Sequence, residues 1–194
     1  MAETKILVQG YAREQNGIWF ASPSTVLIKD QGLNILADPG SNKNLLLKAL
    51  EKENLAPEDI DLVFLTHHHL DHSLNIRLFP EKDICDGSTI NTGDKIVEYS
   101  GRIPGTSIQV IPTPGHTPDH FSLLVKTKKG RVVVAGDVFW WRNGEQQKTD
   151  RESLLKHEDE FAHDKKALKK SRKKLLEIAD YIIPGHGKMF KIEK

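Results

Sequence analysis

The stretch LTHHHLDHS, residues 65–73, places four of the chain's nine histidines and one aspartate in six consecutive positions, and it constrains the fold more than any other segment. DLVFLT (61–66) ahead of it reads as a short apolar strand, so the cluster sits where a strand ends. In extended backbone the side chains at i and i+2 share a side, so His67 and His69 can grip one ion while His68 faces away. Asp71 and His72 follow as the chain turns into a helix and can serve a second ion. An internal cluster that mixes carboxylate with imidazole behind an apolar strand is unlike an expression tag or an incidental surface run.

Three more donors end predicted strands: His116 in TPGHTPDH, Asp137 in VVVAGDVF and His186 in IPGHG. A glycine adjoins each, and backbone without a Cβ can bend sharply enough to turn the next side chain inward. Five histidines and two aspartates exceed what one tetrahedral zinc takes. They suit two ions, three protein ligands on each, with one carboxylate shared and a solvent oxygen between them. Two dications against two carboxylates leave about +2, which draws a bridging water toward a neutral pKa and favours anionic substrates.

The remaining numbers exclude more than they assign. At 194 residues, a single domain over 1–194 is expected. With 38% hydrophobic and 28% charged residues and a formal charge of +1, no global field demands nucleic acid or membrane as partner. Cys85 is the one cysteine, so an intramolecular disulfide and a CxxC metal cluster are excluded and any metal is held by nitrogen and oxygen. MAETKILVQG carries only Ile6, Leu7 and Val8 as an apolar run, so a cytoplasmic location without membrane insertion is expected.

Residues 4–10 and 24–30 read as strands, with Asn16-Gly17 between them as a hairpin turn. LNILADPG (33–40) is a third strand and NKNLLLKALEKEN (42–54) a helix. Further strands are expected at 95–99, 107–111, 121–127, 131–136 and 181–187. Residues 150–179 read as two helical segments, one marked by Leu154, Leu155 and Phe161, the other by Leu168, Leu175 and Ile178. Strands in runs with helices between them predict a layered α/β architecture with sheets in the middle.

HHHLDH, then PGH, then GD after an apolar strand, then PGHG, resembles the metallo-β-lactamase superfamily and its HxHxDH motif followed by His, Asp and His. The match runs from about Leu36 to Lys188, and KSRKKLLEIADYIIPGHG is further similar to a small branch with a reported link to RNA cleavage. The resemblance implies a four-layer αββα sandwich with the metals at the edge of the two central sheets. It implies that His67, His69 and His116 bind a first metal, that Asp71, His72 and His186 bind a second, and that Asp137 bridges them. Two Zn2+ ions are the expected cofactor, with iron or manganese as the other ions such donors accept. Only seven residues follow Gly187 here, so the C-terminal helical domain of the glutathione thioesterases is not expected, which argues against a thioester substrate. Asp137 stands where class B1 β-lactamases have cysteine, which argues against a physiological antibiotic-cleaving role.

Around these donors, His68 reads as a pocket-wall or supporting residue, His120 as a supporting or surface residue, and Asp38, ending its strand before Pro39-Gly40, as an acceptor that orients an imidazole or shapes the turn. Trp140 is a candidate to stack a substrate ring or base, with packing as the plainer reading, and Lys188 a candidate anion contact. His157 and His163 lie among charged helical residues and carry no role, and the basic run KKALKKSRKK (165–174) reads as a solvated helix face in preference to a path for RNA phosphates. The leading expectation is a hydrolase of a small anionic or ester-type substrate, with a bridging hydroxide attacking an ester, amide or phosphoester and Asp71 taking part in proton transfer. The alternatives are an RNA or DNA endonuclease using the same centre, a mononuclear iron oxygenase, and a non-catalytic structural metal-binding domain. The oligomeric state is not legible from the sequence.

Overall fold

The computed structural model describes residues 1–193. The first half of the chain builds β1 (Glu3–Val8), β2 (Tyr11–Gln15), β3 (Ile18–Ser22), β4 (Thr25–Asp30), β5 (Leu33–Ala37), α1 (Lys43–Glu51), β6 (Leu62–Phe64), α2 (Leu70–Ser73), β7 (Asp83–Cys85), β8 (Thr89–Thr92) and β9 (Lys95–Glu98). Seven of these strands form one sheet in the order β1-β4-β5-β6-β7-β8-β9, while β2 and β3 stand apart as a two-stranded hairpin. The second half supplies β10 (Gln109–Pro112), β11 (Phe121–Thr127), β12 (Gly130–Trp140), α3 (Arg151–Lys156), α4 (Lys165–Ile178), β13 (Tyr181–His186) and β14 (Phe190–Lys191). Its five strands lie in the order β10-β11-β12-β13-β14, with β12 and β13 parallel across the helical crossover.

Period-2 alternation explains the layering, because both faces of each sheet are apolar. On one face Val26, Ile28, Ile35 and Ala37 meet Leu123, Val125, Val132 and Val134 of the other sheet. On the opposite faces, Leu27 and Leu36 pack with Leu46 and Leu50 of α1, while Val133 and Ala135 pack with Leu168 and Leu175 of α4. The fold is therefore an αββα sandwich. Each such leucine or valine withdrawn from water contributes about 1.5–3 kcal/mol before chain entropy is counted.

The helices start where capping chemistry allows. Asn42 accepts from the backbone N–H of Leu45 at the start of α1, and Asp164 accepts from Lys166 and Ala167 at the start of α4. Among the described residues, no helix is long and apolar enough to cross a membrane.

Several local expectations are corrected. Asn16-Gly17 is a turn, with φ of 54° and 74°, but it closes the separate β2–β3 hairpin, and β1 pairs directly with β4. β7, β8 and β14 were not foreseen, being only 3, 4 and 2 residues long. α1 stops at Glu51, short of Asn54, and Phe161 lies outside α3 in the loop before α4. Arg172 departs from the solvated face expected of the basic run: it is buried, its Nε donates to the Val138 carbonyl at 2.9 Å, and it also donates to the His157 carbonyl.

Candidate metal centre

Each donor is delivered by the end of an element. β6 leads to His67 and His69, α2 carries Asp71 and His72, the β10–β11 connection holds His116, β12 holds Asp137, and β13 ends on His186. At Gly185 a Cβ would lie 1.8 Å from Asp137 Oδ1, so only glycine lets β13 pass this close to that carboxylate. The donor atoms fall into two groups, His67, His69, His116 and Asp137 in one and Asp71, His72 and His186 in the other, each with its atoms within 4.8 Å of one another.

Asp137 divides itself between them. Its Oδ2 lies 3.4 Å from His116 Nε2 and 3.8 Å from His67 Nε2, while its Oδ1 lies 3.3 Å from His72 Nε2 and 3.6 Å from His186 Nε2. Within the first group, His69 Nδ1 is 3.0 Å from His67 Nε2 and 3.1 Å from His116 Nε2. His186 Nε2 lies 3.4 Å and His72 Nε2 3.8 Å from Asp71 Oδ2. Tetrahedral zinc with bonds of about 2.0–2.1 Å sets its ligands roughly 3.3 Å apart, close to these separations.

Hydrogen bonds on the outer sides fix which nitrogen faces inward. His186 Nδ1 donates to the carbonyls of Tyr11 (3.0 Å) and Ser22 (2.9 Å), His72 Nδ1 to Asp38 Oδ2 (3.0 Å), and His116 Nδ1 to Asp159 Oδ2 (2.8 Å). Thr66 Oγ1 gives its proton to Asp38 Oδ2 at 2.8 Å, so at 3.0 Å it accepts from His67 Nδ1. In the neutral form all four rings then turn an Nε2 lone pair toward the centre. Lone pairs converging at these distances repel unless a cation lies among them. His72 Nε2 and Asp137 Oδ1 are also buried without a hydrogen bond, a costly state that a cation would relieve. The donor set thus fits two divalent cations.

The electrostatics follow from burial and proximity. Burial opposes charge on His72 and His186, but Asp137 outweighs it in both, aided by Asp38 at His72 and by Asp71 at His186, so His72 rises well above its ordinary value and His186 to about 9. For Asp137, burial is overcome by His72 and His186, which hold its carboxyl well below the usual range. His67 has the opposite balance: burial, then the neighbouring His72, press it well down. Burial likewise pushes His120 to about 3.

The supporting candidates take different places. Asp38, in the left-handed region at φ 50°, accepts from Thr66 N–H, Thr66 Oγ1 and His72 Nδ1, joining the ends of β5 and β6 to the second donor group. His120 stacks on His67 with centroids 5.0 Å apart, and its Nε2 accepts from the Asp137 N–H at 3.1 Å while Nδ1 faces Thr113 Oγ1 at 2.9 Å. His68 is half-exposed, 3.6 Å from both Asp86 and Asp119, and belongs to neither donor group. Trp140 lines the pocket over the donors; Lys188 lines a different cavity beside Gln9 and Gln147.

Asp159 is the residue that sequence reasoning missed. Burial would raise its pKa, yet its bond to His116 and that ring's charge hold it below the ordinary value. Removing such an outer acceptor costs about 10–100-fold in metal affinity, so Asp159→Ala is expected to weaken zinc binding by about that factor in competition titrations with a chromophoric chelator. Unchanged affinity would deny Asp159 a part in holding His116. His157, given no role from its charged surroundings, has its Nε2 2.6 Å from the Trp140 carbonyl and so ties the end of β12 to the loop carrying Asp159.

A family model described as the metallo-beta-lactamase superfamily matches residues 18–87. "Metallo-beta-lactamase domain-containing protein 1" of Xenopus laevis is 32% identical over 97% of this chain and 81% of its own length. The Mus musculus protein of the same name is 36% identical, over 81% of this chain, and the match spans 61% of that protein. Among solved structures, a Thermotoga maritima protein assigned to the metallo-beta-lactamases superposes with a TM-score of 0.73 at 21% identity, covering 98% of this chain and 99% of that one.

Proposed function

Since the chain belongs to the metallo-beta-lactamase superfamily, we propose that it is a hydrolase working through two divalent cations, zinc by the chemistry of the donors. His67, His69 and His116 would hold one ion, Asp71, His72 and His186 the other, and Asp137 would serve both. The observation that carries this reading is the division of the Asp137 carboxylate, Oδ2 toward His67 and His116 and Oδ1 toward His72 and His186.

When bound, such a pair of cations supplies a solvent nucleophile at neutral pH and a Lewis acid for the substrate oxygen. The protein's own part is positional. Asp38, Asp159, Thr66 and the Tyr11 and Ser22 carbonyls set the imidazole tautomers, and His120 fixes the backbone of Asp137. Both donor carboxylates line the pocket, but the Asp71 side chain is 27% exposed against 7% for Asp137, so it is the more open of the two and the one we assign to take up a proton during turnover.

Among the described residues no lysine or arginine lines the pocket over the donors, so the pocket itself offers a phosphate no cationic side chain. The test is elemental analysis together with a screen of carboxylic ester, amide, phosphodiester and RNA substrates. About two ions per chain are expected, with turnover lost on chelation and restored by added zinc. Full turnover by thoroughly chelated protein would end the metal reading.

A further inference from the structure

The pocket above the donors has two unlike walls. One carries five of the donors, His69, Asp71, His116, Asp137 and His186; the other consists of Ala12, Ala21, Trp19, Trp140 and Phe161. Its volume of about 420 Å³ is within the range of small-molecule sites. Among the described residues, no lysine or arginine lines it.

The aromatic wall is already assembled. Phe161 lies edge-on to Trp19 at 6.1 Å and against Trp140 at 5.7 Å, and Trp140 stands edge-on to the donor His186 at 6.4 Å. The Arg142 guanidinium sits 5.0 Å from the Trp19 ring centre and is ion-paired with Glu160, which holds the indole from the side of the β12–α3 loop. A ladder of rings therefore runs from the β2–β3 hairpin to the metal centre. Despite these contacts Trp19 is 42% and Phe161 53% exposed, an apolar surface in a concave site that the fold itself leaves uncovered. A neutral apolar group would gain the area it removes from water there, while a phosphate would find no cationic side chain in the lining.

We propose, building on the hydrolytic reading above, that the substrate is an uncharged carboxylic ester whose apolar acyl or aryl group lies in this trough. Water adds across the acyl C–O bond: its oxygen bonds to the carbonyl carbon, the bond to the alkoxy oxygen breaks, and the alcohol leaves with one water proton. The other proton is released from the carboxylic acid product. Trp19 and Phe161 are then specificity residues that act through the remote part of the substrate.

The experiment compares kcat/KM of the zinc-loaded protein for p-nitrophenyl acetate, butyrate and hexanoate and for bis(p-nitrophenyl) phosphate. Each methylene buried in the trough is expected to raise kcat/KM about threefold, with the phosphodiester slowest. Trp19→Ala and Phe161→Ala are each expected to lower the hexanoate-to-acetate ratio about tenfold, mainly through KM. Neither side chain belongs to the buried core, so their truncation leaves the core intact, and Phe161→Leu should fall between. A ratio unchanged in both variants, or a phosphodiester preferred to hexanoate, overturns the trough. Calorimetry with 2-nonanone, an uncleavable carbonyl compound, separates the two ideas. Binding of the ketone with no ester, amide or phosphodiester turned over would defeat the hydrolytic reading, whereas ester hydrolysis without chain-length dependence would defeat the trough alone.

Discussion

On the proposed function, Asp137→Ala protein is expected to lose bound metal and about three orders of magnitude in kcat/KM, because several kcal/mol of transition-state stabilisation would depend on the cations it would help to hold. The size of the effect follows from position. Its two carboxylate oxygens face different donor groups, so truncation removes a candidate ligand from both at once and halves the negative charge offered to two dications. The backbone there should survive, since the bond from the Asp137 N–H to His120 Nε2 does not involve the lost side chain. Asp137→Asn keeps the shape and discards the charge, and should fall between. Elemental analysis and kcat/KM on the same preparations check the two effects together. Wild-type turnover in the alanine variant would reject the shared-carboxylate mechanism.

That prediction could be framed from sequence because the donors sit in short local signals: HHHLDH after an apolar strand, and His116, Asp137 and His186 each beside a glycine. The sheets were legible for a similar reason, since strands such as β11 carry their apolar alternation locally, with Leu123 and Val125 on one side and Leu124 on the other. Asp159 was not, because it lies in a charged loop 43 residues from His116 and its meaning arises only when the β12–α3–α4 crossover brings the two to 2.8 Å. Phe161 and Trp19 are illegible for the same reason: one has the pattern of a helix marker, the other stands beside a hairpin turn, and the pocket they form joins segments 142 residues apart. Arg172 looked like one more solvated cation, and its burial depends on carbonyls of Val138 and His157 that sequence pattern cannot place. Local periodicity encodes strands and donors; the groups that orient and surround them are set by tertiary crossings.

Metal-free protein, prepared by chelation, is expected to take up zinc with an affinity that keeps climbing to about pH 9, the value to which Asp137 and Asp71 raise His186 against the effect of burial. An ordinary histidine would level off near 6.5. Zinc must displace the proton from His186 Nε2, and from His72, which Asp137 and Asp38 also hold well above its usual value. Each displaced proton makes the affinity rise about tenfold per pH unit, so two make it steeper still. The same shifts act on the metal-free fold with the opposite sign. A raised histidine pKa contributes stability that is complete below the unfolded value of 6.5 and is lost as pH rises through about 9. The depressed Asp137 carboxyl contributes stability present above its unfolded value of 3.8 and lost as pH falls through its lower folded value. Metal-free protein should therefore melt lower at pH 9 than at pH 6, while the stabilisation added by a fixed zinc concentration grows over the same interval. Calorimetric melting with and without zinc reads both trends. If zinc affinity levelled near 6.5, or the metal-free protein became more stable toward pH 9, protons would not be occupying the places that zinc takes.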